Sequence, residues 1–570
     1  MGCFSNNNAR KKSKGDDPTM EYYPLGVLDV RANAGFIPVV LMRFNDVLEG
    51  DKLRDALTRL LQTGDWRKLA GRFVADPTDK KLCRVEVPRD PKRIGTAEWP
   101  AVEYSNAHFD VCIDDHPLGR KIPAANQDLK AQAGIQEFAS FWKEPWAPKI
   151  QTVQCYIRHG RKPVSLRVTT FADATLVGVS WMHVVMDGLA FKAFMTAWTL
   201  SLAGRLDEVK PVSRAHEDVL KPLYEADTAA ASVASSVALD KEKSSGTITP
   251  EDANDVHDAA SRIPREPYAL ADKSISGWSR TIVFLRFMVY LLLQPGATSR
   301  TLVLPPAFLA ELREEAERGL PPVDSKDGSR PFVSDGDILC AWLTRLVAQS
   351  HGWRGPIMQL NLVDLRSRVP GVFDPQAVYL QNMCIPAITL LDAGALPSAG
   401  AARSTPQSSP SVLGSWAAEI RGSIAQQATP GQLRAFYRRV LPKPLGEGAS
   451  CIMGGPKTSI TCVSNWVKAK FILETDFSPA VVPATRSVVN MAAAKEIDVE
   501  AGLAPPPTPS GKMVGMLSGQ FHNARTNRDT TTLVGKDHQG NYWLSLFLAK
   551  GVVKTVEKHI ERAEQARARR

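Results

Sequence analysis

WMHVVMDG, residues 181–188, is the clearest fold-determining stretch of this 570-residue chain. Two apolar runs lead into it: residues 164–171 precede the stretch, and residues 176–183 end inside it. The four-residue loop between the two runs is typical of a β-hairpin. Apolar residues at helical spacing then predict a helix over residues 188–202. The stretch is therefore predicted to be a strand, a tight turn and a helix, with His183 at the end of the strand.

The residue types in this turn indicate a candidate site. A side chain at a strand end can project into a cleft, Asp187 can fold back onto the turn, and Gly188 permits a tight backbone. His183 is therefore a candidate functional residue. The alternative is structural, with a hydrogen-bonded histidine at a strand end and Asp187 capping the next helix. The spacing of these residues does not separate the two interpretations.

The rest of the chain divides by composition and length. We predict a disordered basic tail over residues 1–19, a mixed α/β half over 20–224, a crossover linker over 225–298 and a second half over 299–570. The linker is predicted because the chain is rich in Ala, Ser, Asp and Glu and poor in aromatics over residues 226–267.

One apolar run in the linker region, TIVFLRFMVYLLL at residues 281–293, needs its own interpretation. It is too short to span a membrane, which takes roughly 20 apolar residues, and it contains Arg286. We expect a buried strand or helix, because short apolar runs usually fill cores. An element resting on a membrane surface is the alternative.

Composition excludes several classes of protein and site. Hydrophobic residues make up 44% of the chain and charged residues 23%, which is neither disordered nor collagen-like. The eight cysteines form no Cys-x-x-Cys pair, and no histidine spacing is typical of a metal site, so we predict no metal and a reducing, cytoplasmic location. More than half of the net charge of +10 lies in residues 1–19 and 550–570. We therefore predict no nucleic-acid partner, since no interior basic cluster is interleaved with aromatics.

The N-terminus carries candidate membrane signals. Gly2 is a candidate for myristoylation and Cys3 for palmitoylation, and basic residues follow at positions 10, 11, 12 and 14. Asn6 departs from the Ser or Thr that the myristoylation pattern prefers. The alternatives are peripheral membrane contact through this tail or an unmodified disordered tail.

The segment from His183 to Gly188 resembles the His-x-x-x-Asp-Gly signature of the BAHD acyltransferases, within the chloramphenicol-acetyltransferase-like superfamily. Other segments resemble further motifs of that family, in family order from about residue 35 to 550, and the C-terminal block KDHQGNYWLSLFL resembles the fungal members. These segments are Ala70-Gly71-Arg72-Phe73, SDGDILCAW at 334–342, VDLRSR at 363–368, Tyr379-Leu380-Gln381-Asn382, Ser464-Asn465-Trp466 and Thr475-Asp476-Phe477. Asp476-Phe477 continues as Ser478-Pro479-Ala480 where the family has Gly-Trp-Gly, which leaves details of the second half open.

The resemblance implies a fold, an activity and roles for residues. The fold would be two mixed α/β halves, each a mixed sheet flanked by helices, with the active-site channel between them. The activity would be transfer of an acyl group from coenzyme A to a hydroxyl or amine of a small molecule, in specialised metabolism. Acyl-CoA would be a co-substrate, no cofactor would be permanently bound, and we expect a monomer.

The same resemblance implies that His183 is the general base and that Asp187, followed by Gly188, organises the turn. Asp187 would pair with Arg366 or Arg368, and Asp476 with the other arginine. Ser464 and Asn465 are candidate donors to the tetrahedral oxyanion, by position in the chain.

Two other functions stay open within the same fold. The acyl donor could be a carrier protein, as in condensation-type enzymes. The protein could also be a catalytically silent binding protein, although the presence of both His183 and Asp187 argues against it.

Overall fold

A computed structural model describes residues 16–26, 28–30, 35–77, 82–125, 128–144, 152–221, 263–294, 296–320, 331–369, 372–396, 411–440, 452–483, 508–520 and 528–569. Its strands are β1 (Met20–Pro24), β2 (Pro38–Phe44), β3 (Arg72–Ala75), β4 (Cys83–Pro88), β5 (Glu103–His108), β6 (Ala131–Ala133), β7 (Val164–Thr170), β8 (Thr175–Trp181), β9 (Ala297–Leu304), β10 (Pro356–Asp364), β11 (Cys384–Asp392), β12 (Ser459–Asn465), β13 (Met513–Gln520), β14 (Thr530–Lys536) and β15 (Tyr542–Ala549).

The α-helices lie between and around these strands. They are α1 (Gly50–Leu61), α2 (Ala139–Trp142), α3 (Val153–His159), α4 (Gly188–Leu202), α5 (Gly277–Leu293), α6 (Pro306–Arg318), α7 (Asp335–His351), α8 (Val412–Gln427), α9 (Pro430–Val440), α10 (Phe471–Glu474) and α11 (Lys550–Ala568).

The first large sheet has five strands in the order β13-β2-β8-β7-β5. Strands β7 and β8 pair antiparallel from Val164↔Trp181 to Thr170↔Thr175, so the predicted hairpin is confirmed. Helix α4 has the predicted bounds and buries Phe194 and Trp198. The indole Nε1 of Trp198 donates to the carbonyl of Leu53 on α1 at 2.9 Å, which fixes the two helices against each other.

The second large sheet has seven strands in the order β11-β10-β12-β14-β15-β9-β6 and is mixed, with parallel pairs at β10–β12 and β12–β14. Helix α7 packs beside it and begins with a capping box, in which the Ser334 side chain accepts from the backbone of Asp337 and the Asp337 side chain from that of Ser334. A smaller sheet of order β1-β4-β3 flanks the first. The expected mixed α/β class, with sheets flanked by helices, is confirmed.

The two large sheets exchange strands. Strand β13, late in the chain, pairs antiparallel with β2 and so completes the first sheet. Strand β6, early in the chain, pairs with β9 at the edge of the second sheet. Gly515 of β13 lies directly against Trp543 of β15, because a Cβ at position 515 would stand 2.5 Å from the indole ring. Each sheet therefore depends on a strand from the other half of the sequence.

The expected burial of the apolar run at residues 281–293 is wrong. The run is part of α5, and Val283 is the only buried residue of that helix. Trp278, Leu292 and Leu293 are 82%, 75% and 73% exposed. The run is helical, but no other described element covers the side of the helix that carries its exposed apolar side chains.

Gly515→Ala should lower the free energy of unfolding by about 1–3 kcal/mol, the usual cost of overpacking a core. Trp543 cannot easily retreat, because it is buried and its Nε1 donates to Asp537 at 3.0 Å. The matched control is Gly422→Ala on α8, where a Cβ meets no atom within 4 Å. That change should stabilise the protein by up to about 1 kcal/mol, since Ala is the better helix former. Equal effects of the two changes in denaturant unfolding would contradict the close contact at Gly515.

Candidate active site

The backbone around His183 is fixed by contacts on both sides of the turn. The backbone N–H of His183 donates to the carbonyl of Phe36 at 3.0 Å. The indole Nε1 of Trp181 donates to the carbonyl of Met186 at 2.9 Å, and its ring stacks on Phe191 with centroids 4.2 Å apart. The turn from β8 to α4 is therefore held by the strand, the helix and the residues between them.

Asp187 caps α4 and binds the second half of the chain. Its carboxylate accepts from the backbone N–H groups of Leu189 at 3.1 Å and Ala190 at 2.9 Å. It also accepts from the backbone N–H of Met383 at 2.9 Å and forms a two-point contact with the guanidinium of Arg366 at 3.0 and 3.1 Å. The Asp187 carboxylate is thus engaged by structural partners, which suits an organiser of the turn.

Arg366, the partner of Asp187, also binds several other groups. Its guanidinium donates to Asp364 at 2.6 Å and to the carbonyls of Tyr379 at 3.0 Å and Gln381 at 2.8 Å. Burial opposes its charge, but the carboxylates of Asp187 and Asp364 raise the pKa of Arg366 above its ordinary value. The end of β10 and the loop before β11 are therefore tied to the turn at Asp187.

The expectation that Asp476 pairs with the remaining arginine is wrong. Asp476 binds Lys512 at 2.7 Å, because a local antiparallel bridge brings these two residues side by side. Asp476 and Arg368 lie beside different hydrophobic cores. Phe477, which follows Asp476, packs in the core of the first sheet, whereas Val369, which follows Arg368, packs in a separate hydrophobic cluster of the second half. For the side chain of Arg368 no hydrogen bond or ion pair is found within the described ranges.

The imidazole of His183 is partly buried at the wall of a cavity. Burial lowers the pKa of His183, while the charge of Asp187 and the side chain of Asn382 oppose that shift. The Nδ1 atom of His183 and Oδ1 of Asn382 are both buried, and neither has a partner of normal hydrogen-bond geometry among the described residues. The ring is therefore favoured in its neutral form, in which one nitrogen can accept a proton.

Asn382 connects His183 to a buried carboxylate, Asp29. The Asn382 side chain donates to the carbonyl of His183 at 2.8 Å and to Asp29 at 2.7 Å, and its backbone N–H donates to Asp29 at 2.9 Å. Burial raises the pKa of Asp29 to about 6, although the hydrogen bonds from Asn382 and the charge of Lys68 oppose the shift. Lys68 is itself fully buried, and burial lowers its pKa to about 8.

The cavity has a volume of about 520 Å³ and lies where the two exchanged sheets meet. Its wall includes His183, Asp187 and Gly188, apolar side chains such as Leu360 and Leu546, and a set of hydroxyl groups. The hydroxyl residues are Ser299, Ser464, Ser518, Thr530, Thr531, Thr532 and Ser545. A cavity of this size and mixed character is typical of a small-molecule site.

The remaining predicted residues fall in different places. Gly188 approaches the indole of Trp466 so closely that a Cβ would stand 2.7 Å from Nε1, which explains why glycine follows Asp187. Ser464 and Asn465 both line the cavity, at the end of β12. The side-chain oxygen of Asn465 accepts from the backbone of Val467 at 3.0 Å, which turns this side chain toward its own strand end. Gly2 and Cys3 lie outside the described residues.

Sequence reasoning missed three parts of the site. Asp29 lies in a stretch without any motif, so no local signal marks it. Asn382 belongs to the motif Tyr379-Leu380-Gln381-Asn382, but its contacts with His183 and Asp29 depend on the tertiary fold. The hydroxyl groups on β9, β13, β14 and β15 come together only through the exchange of strands.

A second cluster of potential ligands lies in the first half, away from the cavity. Glu21, Asp65 and His216 bring ligand atoms within 4.8 Å of one another. Arg67 binds Glu21 at 2.8 Å, and the Tyr23 hydroxyl donates to Asp65 at 2.8 Å. Both carboxylates therefore already have protein partners, and the cluster is explained as a hydrogen-bonded network.

Arg366→Ala should lower the free energy of unfolding by about 3–5 kcal/mol, because it leaves the buried carboxylate of Asp187 and the partly buried one of Asp364 without their cation. Arg368→Ala is the matched control. It removes a partly exposed arginine without a described hydrogen bond or ion pair, and should change the free energy of unfolding by less than about 0.5 kcal/mol. Denaturant unfolding of both variants measures the difference. A larger loss for Arg368→Ala would contradict the choice of Arg366 as the partner of Asp187.

Asp29→Asn should change how stability depends on pH. The ordinary pKa of an aspartate is about 4, and Asp29 has a pKa of about 6 in the folded protein. Between these values the folded state binds a proton that the unfolded state releases, so stability is lost as the pH rises. The wild type should therefore lose stability relative to Asp29→Asn over this interval. A constant difference between the two proteins across the interval would show that Asp29 is not perturbed.

Comparison with known proteins gives relatives that span almost the whole chain. Acetyltransferase sphE of Aspergillus fumigatus is 30% identical over 547 residues, with 91% of both chains covered. O-acetyltransferase PaAT-2 of Phomopsis amygdali is 28% identical over 522 residues, covering 90% of this chain and 91% of the other. No family model matches the chain.

Among solved structures, TRI101 of F. graminearum, complexed with coenzyme A and deoxynivalenol, superposes with a TM-score of 0.56. That match covers 94% of this chain and 96% of the other at 13% identity, so it concerns the fold. The relationship to sphE, at 30% identity over nearly the full length, shows the family. The chain belongs to the BAHD-type acyltransferases of the chloramphenicol-acetyltransferase-like superfamily.

Proposed function

We propose that this acyltransferase moves an acyl group from coenzyme A to a hydroxyl of a small molecule held in the cavity, with His183 as the general base. One observation carries the proposal. The partly buried imidazole lines the cavity, while the neighbouring Asp187 carboxylate is engaged by Arg366 and by backbone N–H groups. The histidine is thus the group free to exchange a proton with a molecule in the cavity.

The chemistry follows from the neutral imidazole. His183 takes the proton of the acceptor hydroxyl as its oxygen attacks the thioester carbonyl, and a tetrahedral oxyanion forms. When that intermediate collapses, the carbon–sulfur bond breaks, the thiol of coenzyme A leaves, and His183 returns the proton to the sulfur. The acyl group passes directly between the substrates, so no acyl-enzyme forms. Coenzyme A acts as a co-substrate and not as a resident cofactor.

Ser464 is the better of the two candidate oxyanion donors. Its residue belongs to the cavity wall on β12. The side chain of Asn465 is held through its oxygen by the backbone N–H of Val467, and its amide nitrogen, the atom that would donate, lies against Gly336 of α7. A hydroxyl rotates freely and can turn its proton toward the oxyanion as charge develops. The Thr532 hydroxyl lies directly beside Ser464 in the strand register and can support it.

The substrates are proposed from the relatives and from the cavity wall. The relatives sphE and PaAT-2 are named acetyltransferases, and TRI101 is complexed with coenzyme A and deoxynivalenol. An acetyl group on coenzyme A and an acceptor with apolar carbon and a hydroxyl would match the mixed lining of this cavity. No lysine or arginine is found among its described lining residues. The coenzyme A phosphates are therefore expected outside the cavity, with the thioester end inside.

An amine acceptor, a role in specialised metabolism, a monomeric state and membrane contact through the N-terminal tail stay predictions from the sequence. So do the bounds of the two halves at residues 224 and 299. Within the described residues, every helix is too short or too polar to cross a bilayer.

His183→Ala should lower kcat by about 10²- to 10⁴-fold, the usual contribution of a general base, with little loss of stability. The control is His108→Ala, which removes an exposed histidine bound to Thr170 and Asp110 on the edge of the first sheet. The measurement is release of free coenzyme A thiol from acetyl-CoA with a panel of alcohols and amines, and mass spectrometry identifies the product. Normal turnover by His183→Ala would refute the assignment.

The pH dependence gives an independent check of the same residue. The protonated imidazole cannot act as a base, so kcat/KM should fall as the pH drops through the pKa of His183. Because burial lowers that pKa, the acidic limb should lie below the ordinary histidine value of about 6.5. An acidic limb centred above pH 7 would contradict it. Turnover with an acyl carrier protein but not with acyl-CoA would show that the acyl donor is a carrier protein. Binding of acyl donors without turnover of any of them would indicate a catalytically silent binding protein of the same fold.

A further inference from the structure

Helix α5 is the most exposed apolar surface in the described part of the chain. Thirteen large hydrophobic residues are exposed among all the described residues, and eight of them lie on this one helix. They are Trp278, Ile282, Phe284, Leu285, Met288, Val289, Leu292 and Leu293. Scattered exposed hydrophobics are ordinary, but a contiguous patch of this kind marks an interaction surface.

The arrangement around the helix axis is regular. At 100° per residue, the eight exposed apolar residues occupy an arc of about 180°, interrupted by Thr281. Arg286 lies at one edge of this arc and Arg280 at the other. The helix carries no acidic residue. An apolar face with a cation on each flank is typical of a helix that lies in a membrane interface, where long basic side chains reach the headgroups.

The opposite side of α5 and the flank at Arg286 are attached to the protein mainly by polar contacts. Arg286 donates to the carbonyl of Pro456 at 2.9 Å, and the Tyr290 hydroxyl donates to the buried Asp529 at 2.5 Å. Asp529 also contacts His351 at 3.0 Å. At the C-terminal end, Gln294 accepts from the backbone of Gly551 on α11. The apolar face therefore points outward on a helix that is firmly held, the reverse of an ordinary surface helix.

The dimensions of α5 exclude two other arrangements. Seventeen residues give a helix of about 25 Å, which is shorter than the bilayer core of about 30 Å, and it contains two arginines. Pairing of α5 with that of a second copy would bury about 500 Å² for a helix face roughly 10 Å wide, below the ~1,200 Å² of a stable interface. It would also bring four arginines together.

The described charges next to α5 are mainly basic. Lys457 is exposed beside Pro456, and Lys550 and Lys554 are exposed at the start of α11, which contacts the end of α5. Asp272, before the helix, is paired with Lys273 at 3.1 Å. This distribution favours a surface with negative charge over a neutral one.

We propose that α5 docks the protein on an anionic lipid bilayer, lying in the plane of the membrane surface with its apolar face among the upper acyl chains. The proposal does not depend on the acyl-transfer activity. The helix is also close to the cavity wall, because β9 begins at Ala297 and its Ser299 lines the cavity. Docking would thus hold the cavity near the lipid.

The test is co-sedimentation of the full-length protein, produced without lipidation, with vesicles of phosphatidylcholine alone or with phosphatidylserine. The protein should bind the anionic vesicles, and the double change Phe284→Ser and Leu292→Ser should weaken that binding at least about tenfold. Phe332→Ser is the matched control, since Phe332 is 75% exposed but lies next to Arg421, away from α5. Arg280→Glu with Arg286→Glu should weaken binding to anionic vesicles and not to neutral ones.

Three results would overturn the proposal. The first is no binding to anionic vesicles by the full-length protein. The second is binding that survives the double change on α5 but disappears with Lys11→Glu and Lys12→Glu in the tail. The third is a dimer in analytical ultracentrifugation that the α5 change dissociates, without vesicle binding, which would make a second copy the occupant. Release of coenzyme A thiol, measured without vesicles, should be the same for the α5 variants and the wild type.

Discussion

The contact between Asp187 and Arg366 is the interaction on which the rest of the site depends. The two residues are 179 positions apart, and their ion pair joins the turn after β8 to the loop after β10. A buried ion pair is costly unless every charge and donor is satisfied. Here the carboxylate also caps α4, and the guanidinium also binds Asp364 and two carbonyls, so the cost is offset by a complete set of partners.

A second buried hydrogen-bond network, formed by Asp29 and Asn382, lies next to this ion pair. The side chain of Asn382 donates to the carbonyl of His183 at 2.8 Å and to Asp29 at 2.7 Å, so Asp29 orients the amide that holds this carbonyl. The two networks share the segment from Tyr379 to Met383, whose backbone serves both Arg366 and Asp187. Because that segment belongs to the second half of the chain, the position of the imidazole is set by both halves together.

The parts of the fold that could be predicted from the sequence are those with local causes. The β7–β8 hairpin and helix α4 follow from apolar spacing and from a turn that Asp187 and Gly188 favour. The choice between Arg366 and Arg368 could not be made, because it depends on where the loop after β10 lies against α4. The sequence predicts an arginine as the partner of Asp476, but an isolated antiparallel bridge places Lys512 next to it.

Burial was the least predictable property, because it depends on neighbours that may be distant in sequence. The apolar composition of residues 281–293 is the same whether a helix is covered or open, so α5 looked like a core element. Asp29 shows the converse, since an acidic residue in a stretch without a motif is 3% exposed. In both cases the tertiary surroundings determine burial, and neither the composition nor the hydrophobic period of the sequence indicates those surroundings.

The exchange of strands restricts how this chain can be cut or assembled. Strand β2 pairs with β8 on one side and β13 on the other, so a fragment that ends before residue 513 exposes an apolar edge along Val39, Val40 and Leu41. Open, apolar edges of this kind promote aggregation. During synthesis the first sheet stays incomplete until the ribosome has released residue 520. The halves are therefore unsuited to separate expression, although each has its own sheet and core.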